Sequence, residues 1–115
     1  MVKAISVCNF HEHHLEQLLK HARVVPAVNQ IELHPLLNQE KLVAYCTQKG
    51  IKIVCYSPLA RMDKKLINNM TLNHIAEKYN KSVPQIVLKW GIQHGYAVIP
   101  KTERLHFLKQ NIEIF

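Results

Sequence analysis

Two polar residues follow directly after a short apolar run, and they are the first candidates for chemistry. Residues 51–55 are mostly apolar and β-branched, and the run ends at Tyr56 and Ser57, where Pro58 prevents a strand from continuing. This pattern is typical of a buried parallel strand, and binding sites in parallel sheets lie just beyond the carboxyl ends of the strands. We therefore expect Tyr56 and Ser57 to lie at the edge of a site.

Amide and cationic side chains lie in or after two other predicted strands. Asn29 and Gln30 fall within the second strand, where an amide is costly to bury unless a ligand or a loop backbone hydrogen-bonds to it. At least one of these amides is therefore expected to have such a partner. Lys101 and Thr102 follow the fourth strand, and a lysine beside a helix N-terminus is a suitable seat for a phosphate group.

Histidine and cysteine residues, by contrast, predict no metal site and no nucleophile. Residues 11–14 read His-Glu-His-His, but the zinc motif His-Glu-x-x-His needs a histidine where Leu15 stands, so we interpret them as solvated helix polarity. Cys8 has no evident base partner. Together with Cys46 and Cys55 it is expected to be a reduced, buried thiol of a cytoplasmic protein.

Strands and helices in strict alternation are expected to position these residues. The predicted strands cover residues 4–8, 27–31, 52–56 and 97–100, and the predicted helices cover residues 11–21, 38–50, 72–79, 82–95 and 104–112. Asn38, Thr71 and Ser82 are the expected N-caps. Such alternation indicates an α/β fold with a parallel sheet and right-handed crossovers. The connection over residues 57–70 is long enough to suggest a functional loop.

Composition narrows the class of protein and of partner. The 115 residues, 48% hydrophobic and 20% charged, are typical of one ordinary globular domain, and no apolar run is long enough for a membrane span. The start has no signal-peptide pattern, so a cytoplasmic location without a membrane partner is expected. The formal net charge is +7, but lysines and arginines are spread over every helix, so no nucleic-acid partner is expected.

Four strings in a fixed order carry a resemblance to a known family. They are residues 5–10 (ISVCNF), 26–35 (PAVNQIELHP), 55–59 (CYSPL) and 98–101 (VIPK). Together they resemble the aldo-keto reductases, (β/α)8 TIM-barrel enzymes that reduce aldehydes and ketones with NADPH. The match runs over essentially the whole chain. It implies a single partial domain over residues 1–115, a C-terminal half-barrel of about four βα units that corresponds to strands five to eight.

The resemblance also implies which residues bind NADP(H). At the nicotinamide end, hydrogen bonds to the carboxamide and a stacking platform for the ring would come from Cys8, Asn9, Gln30 and Tyr56. At the phosphate end, the pyrophosphate path, the 2′-phosphate and the adenine would be met by Ser57, Leu59, Lys101, Thr102 and Asn111. An amide matches a carboxamide because it offers both a donor and an acceptor, and an aromatic ring orients a planar ligand at small entropic cost.

Three positions depart from the family pattern. Cys8 replaces the usual serine, which exchanges a good hydroxyl donor for a weak thiol. Phe107 stands where an arginine usually binds the 2′-phosphate, and Gln110 stands where a glutamate usually faces adenine. Arg104 is the residue expected to supply the lost charge. Because Phe107 replaces that arginine, the sequence leaves open whether the chain prefers NADPH or NADH.

The family's catalytic tetrad, an aspartate, a tyrosine, a lysine and a histidine, has no match in this chain. No catalytic residue is therefore expected here, and the chain alone is expected not to reduce the small-molecule carbonyl substrates of the family. The alternative is a truncated or pseudo-enzyme half-barrel that acts as a binding or assembly module. Such a module would pair with itself or dock on a partner half-barrel through the inner sheet face, which is expected to be apolar and exposed.

Overall fold

A four-stranded parallel sheet forms the centre of the protein. The computed structural model describes residues 1–115. Its strands are β1 (Ser6–Cys8), β2 (Val28–Glu32), β3 (Lys52–Tyr56) and β4 (Ala97–Val98). They pair in parallel in the order β1-β2-β3-β4. The predicted α/β class is confirmed, and β3 has the predicted bounds.

Six helices connect and follow these strands. They are α1 (Glu12–His21), α2 (Glu40–Gln48), α3 (Lys64–Ile67), α4 (Met70–Tyr79), α5 (Val83–Gln93) and α6 (Leu105–Ile112), and a 3-10 turn at Ala60–Met62 precedes α3. Because the strand order follows the chain without reversal, the crossovers fall on one side of the sheet. None of these helices is both long enough and apolar enough to span a membrane.

The core lies between the sheet and the helices. On β2, Asn29 and Ile31 are buried, while their neighbours on the other side of the strand are only half-buried. The strand residues pack against α1 and α2 in one buried apolar cluster, which comprises Leu15, Ile31, Leu33, Leu42, Cys46, Ile51, Ile53 and Cys55. A second cluster joins α3, α4 and α5 and comprises Leu66, Leu72, Ala76, Val83 and Val87.

The opposite sheet face is open and mixed in character, so the expectation of an apolar inner face is wrong. The strand register places nine side chains on it: Ser6, Cys8, Val28, Gln30, Glu32, Lys52, Val54, Tyr56 and Ala97. Alternation along each strand directs most large apolar residues toward the helices and leaves polar ones opposite. Cys8 lies on the open face and is exposed, so its expected burial is also wrong.

Helix starts agree with the sequence at one cap and differ at two. Ser82 caps α5 in a capping box with Gln85, as predicted. Helix α2 begins later than expected, after Gln39, whose φ of 44° is left-handed. Helix α4 is capped by Asn69, whose side chain accepts a hydrogen bond from the Leu72 N–H, and not by Thr71. Asparagine is the better cap, so the helix starts one residue after it, at Met70.

Strand β4 is shorter than predicted. It ends at Val98, although the Ile99 N–H still donates to the Cys55 carbonyl at 3.2 Å. Pro100 has no N–H and cannot extend the ladder. Gly91 of α5 lies so close behind this strand that a Cβ there would be 2.7 Å from Val98 Cγ1. The strand therefore depends on a close helix contact for its position.

Candidate functional site

Asn9, which directly follows β1, hydrogen-bonds to the middle of β2 and to the last residue of β3. The Asn9 N–H donates to the Gln30 carbonyl at 2.8 Å, and its side-chain Oδ1 accepts from the Tyr56 hydroxyl at 2.9 Å. Asn9 has a φ of 56°, a left-handed conformation that asparagine tolerates better than most residues. The structure therefore brings together Asn9, Gln30 and Tyr56, which we call the amide cluster.

Gln30 and Asn29 point to opposite faces of β2. Gln30 is half-buried on the open face, directly beside Cys8 in the strand register. Asn29 is fully buried on the helix side, where its side chain bonds to the backbone of Phe10. The prediction that at least one of the two amides contacts a loop backbone is confirmed.

A cavity of about 330 Å³ opens beside the amide cluster. Asn9 and Tyr56 line it together with Phe10, His11, Ile31, Glu32, Leu37, Gln39 and Leu42. Glu32 is not among the predicted site residues, although the alternation that places Gln30 on the open face also places residue 32 there. Glu32 pairs with Tyr56 in the strand register, and its Oε1 lies 3.2 Å from Nε2 of the buried His34. A carboxylate therefore stands beside the proposed platform ring.

A second cavity, of about 390 Å³, lies beyond β3 and β4, and we call it the cationic cleft. It is lined by Ser57, Pro58, Leu59, Arg61, Met62, Ile99, Pro100 and Lys101. Three of these residues were predicted to bind the cofactor, namely Ser57, Leu59 and Lys101. Arg61 adds a second cation that was not assigned a role, although it lies in the long connection that was predicted to be functional. The cleft therefore presents two positive side chains beside a serine.

Left-handed backbone is concentrated along one wall of this cleft. The φ values are 43° at Ser57, 48° at Ala60, 53° at Arg61 and 61° at Met62, and none of these residues is glycine. Each such residue costs about 1–2 kcal/mol. Strain of this kind persists only where surrounding contacts hold it, and it is found most often at functional sites.

The remaining predicted residues line neither cavity. Thr102 Oγ1 accepts from the Arg104 N–H at 3.2 Å, and the Arg104 guanidinium lies 5.8 Å from the centre of the Phe107 ring. Asn111 is half-buried near the end of α6.

Lys101, which does line the cationic cleft, forms an ion pair with Glu103, but both side chains are about 80% exposed, so solvent screens the pair. Lys101 is therefore available to another anion.

The buried thiols have no nucleophilic chemistry to offer. All three cysteines are free. Burial raises the pKa of Cys55 to about 12. Burial also raises the pKa of Cys46, against the opposing effect of its hydrogen bond from Asn29. Because the pKa of each is raised, both are neutral thiols near pH 7. They are therefore poor nucleophiles, since the reactive species is the thiolate.

The histidine-rich start of α1 forms a helix cap. His14 Nδ1 accepts from the His11 N–H at 3.1 Å, and the rings of His13 and His14 have centroids 3.9 Å apart. Close packing, followed by the charges of His13 and His11, lowers the pKa of His14. No three histidine, cysteine or acidic side chains come together as metal ligands. The motif therefore caps the N-terminus of α1.

Comparison with known proteins relates this site to a family of reductases. The model of the aldo/keto reductase family matches residues 1–115. The chain is 48% identical over 114 residues to glyoxal reductase of Bacillus subtilis (strain 168), an alignment that covers 99% of this chain and 41% of that protein. It is 37% identical over 115 residues to methylglyoxal reductase of Escherichia coli (strain K12), which covers 100% of this chain and 42% of that protein.

Solved structures show the same relationship. An aldo-keto reductase from a Medee basin deep-sea metagenome library matches with a TM-score of 0.95 at 40% identity, over 99% of this chain and 42% of that one. An aldo/keto reductase from Brucella melitensis gives a TM-score of 0.91 at 44% identity, over 99% of this chain and 43% of that one. The chain thus spans less than half the length of these relatives, and its four strands form about half of a (β/α)8 barrel. The chain belongs to the aldo/keto reductase family.

Proposed function

We propose that this chain is the NADP(H)-binding part of a carbonyl reductase. Members of the family generally use a nicotinamide cofactor. The observation that carries the proposal is that Asn9, at the end of β1, joins Gln30 of β2 and Tyr56 at the end of β3 by hydrogen bonds. The cationic cleft adjoins this cluster, because Ser57 of the cleft directly follows Tyr56. An extended ligand with a polar ring at one end and phosphates at the other fits this arrangement.

The amide cluster suits the nicotinamide end of the cofactor. Asn9 and Gln30 each offer an amide donor and an acceptor, which match a carboxamide, and the exposed Cys8 thiol stands beside Gln30. The half-buried Tyr56 ring provides a flat surface, and its hydroxyl is held by Asn9. When bound, the cofactor supplies a hydride to a carbonyl carbon. These residues would fix which face of the ring is turned toward the substrate.

The cationic cleft suits the phosphates. Lys101 and Arg61 place two positive charges along one cavity, and Ser57 adds a hydroxyl donor. Lys101 would meet the 2′-phosphate together with Thr102 and Arg104, which lie just beyond the cleft at the start of α6, while Asn111 would reach the adenine. Arg104 packs over Phe107, so it can supply charge close to the position where the family usually has an arginine. We therefore propose NADPH over NADH.

The substrate class is proposed to be small aldehydes and ketones. The names of two relatives, glyoxal reductase and methylglyoxal reductase, point to short dicarbonyls. A cytoplasmic location is proposed on the three unpaired thiols, which suit a reducing compartment. The acid that protonates the carbonyl oxygen is not among the residues assigned here, so this chain alone is proposed to bind cofactor without turning over substrate.

A titration of NADPH fluorescence, followed by addition of methylglyoxal, tests this function. Saturable binding without oxidation of NADPH is the expected result. Lys101→Met should weaken binding, whereas Lys109→Met, which changes an exposed lysine on α6 outside the cleft, should not. Absence of binding to the wild-type chain would overturn the cofactor assignment. Steady oxidation would overturn the claim that the chain alone is inactive.

A second candidate is an assembly module that closes a barrel with another copy of itself. Strands β1 and β4 each have one unpaired edge, and the whole inner face is open. Unpaired edges favour pairing with another strand. Because two copies with a net charge of +7 repel each other, association should tighten as salt is added. Sedimentation velocity at low and high salt measures the oligomeric state of the chain. A monomer at both salt concentrations would exclude this candidate.

A further inference from the structure

We propose that Asn29 is a positioning residue for the nicotinamide end of the site. Its buried amide holds the loop that carries Asn9, and Asn9 in turn holds Tyr56. The effect on cofactor binding rests on the function proposed above, whereas the effect on the loop does not. The family resemblance assigns no cofactor contact to Asn29, and its buried side chain faces the helices and lines neither cavity.

The Asn29 amide binds both backbone groups of Phe10. Its Oδ1 accepts from the Phe10 N–H at 3.4 Å, and its Nδ2 donates to the Phe10 carbonyl at 2.8 Å. The same Nδ2 lies 3.7 Å from the Cys46 sulfur. The side chain is fully buried, so water cannot replace these partners. Asn29 thus acts toward Phe10 as a neighbouring strand would, at a point beyond the end of β1.

This contact fixes Asn9 because it fixes the residue after it. Asn9 has a left-handed φ of 56°, a conformation that persists only when the surroundings impose it. On one side its own N–H donates to the Gln30 carbonyl, and on the other side the Phe10 backbone is bound to Asn29. Between these two anchors, the Asn9 side chain is directed to the Tyr56 hydroxyl.

A positioning role and a general stabilising role predict different patterns of ligand binding. A variant that merely loosens the fold should weaken binding at both ends of the site. A variant that releases Asn9 should weaken only ligands that carry the nicotinamide. Adenosine 2′,5′-bisphosphate has the adenine and the 2′-phosphate without the nicotinamide, so its binding reports on the phosphate end alone.

The test compares NADPH with adenosine 2′,5′-bisphosphate on Asn29→Leu. Leucine keeps a similar size and removes both bonds to Phe10, so NADPH affinity should fall about tenfold while bisphosphate affinity stays within about twofold. Ile53→Val is the matched control, because Ile53 is the register partner of Asn29 on the same face of β3. It should leave both affinities within about twofold. Equal weakening of both ligands by Asn29→Leu, or of neither, would overturn the proposal.

Amide hydrogen exchange provides a readout that needs no cofactor and no variant. In the wild-type chain, the Phe10 N–H and the Asn29 side-chain amide should both be protected. Exchange of either at the rate of free solvent would overturn the proposal, even if Asn29→Leu fails to fold. Should neither ligand bind the wild-type chain, the proposed function fails, and the protection of Phe10 still decides the role of Asn29 in the loop.

Discussion

The amide cluster and the cationic cleft adjoin one another, yet they are built in different ways. Asn9 hydrogen-bonds to the Gln30 carbonyl and to the Tyr56 hydroxyl, and the buried Asn29 holds the residue after it. In the cleft, Lys101 is about 80% exposed. Arg61 there is exposed and has a strained backbone. One region is ordered before a ligand arrives, and the other has side chains that are free to move.

Because of this difference, the two regions contribute to ligand binding in different ways. A pre-ordered region loses little conformational freedom on binding, so it suits the orientation of a ring. An exposed cationic region attracts phosphate over a distance of about 8–10 Å in ordinary salt, and its long side chains adapt on contact. We therefore expect the amide cluster to control geometry and the cationic cleft to control affinity.

The largest expected effect is on affinity at the cleft. Lys101→Met should weaken NADPH binding about 10- to 100-fold, because a hydrogen bond to a charged group contributes about 1.5–3 kcal/mol. NADH, which lacks the 2′-phosphate, should be affected much less. Isothermal titration calorimetry with both cofactors measures the difference. Equal losses for the two would show that Lys101 does not contact the 2′-phosphate.

The next effect concerns the strand that supports the cleft. Gly91→Ala should destabilise the fold by up to about 2 kcal/mol, since a clash of its Cβ at 2.7 Å from Val98 Cγ1 costs about 1–3 kcal/mol and the gain in helix propensity offsets only about 1 kcal/mol. Urea unfolding measures the change. Adding Val98→Ala removes the clashing methyl, so the double variant should recover part of the loss. If the double variant is no more stable than Gly91→Ala, the contact with Val98 is not the cause of the destabilisation.

Within the amide cluster, a single hydrogen bond can be removed without changing the ring. Tyr56→Phe should cost about 0.5–1.5 kcal/mol of stability, because Asn9 Oδ1 loses its donor. Thermal unfolding measures the loss, and the Asn9 side-chain amide signals in the NMR spectrum should move. Tyr79→Phe, at an exposed tyrosine of α4, is the control and should change neither. An unchanged Asn9 signal in Tyr56→Phe would break the link between the two residues.

The smallest expected effect is a gain in stability. Ala60→Gly relieves a left-handed residue that costs about 1–2 kcal/mol, against a glycine entropy cost of about 0.5–1 kcal/mol, so the net gain is between zero and about 1.5 kcal/mol. Ala44→Gly, in the exposed middle of α2, should instead lose about 1 kcal/mol. If both variants are destabilised alike in chemical unfolding, the wall of the cleft is not strained.

The sequence predicted what depends on local pattern and on motif order. Strand β3 ends at Tyr56 as expected, because an apolar run followed by Ser57 and Pro58 leaves little choice. The cap at Ser82 followed from its own side chain and that of Gln85. The four strings fixed the family, which composition and periodicity alone had left open.

The rest depends on contacts between distant residues. Asn29 binds a backbone nineteen positions away, and nothing in its neighbours reveals which loop it holds. The left-handed turn at Ala60–Met62 contains no glycine, so the usual signal of positive φ is absent. The expectation of an apolar inner face is wrong because the polar side chains of Gln30, Glu32 and Tyr56 share that face. Strand register decides that point, and it emerges only when the sheet is assembled.

The central claim is that both regions bind one dinucleotide. A titration of the isotope-labelled chain with NADP⁺, followed by NMR, tests it most directly. If one NADP⁺ molecule binds across both regions, the signals of Asn9, Tyr56, Ser57 and Lys101 shift together and saturate with one dissociation constant. Shifts confined to exposed lysines of the helices, or no shift at Asn9 and Tyr56 while Lys101 responds, would contradict it.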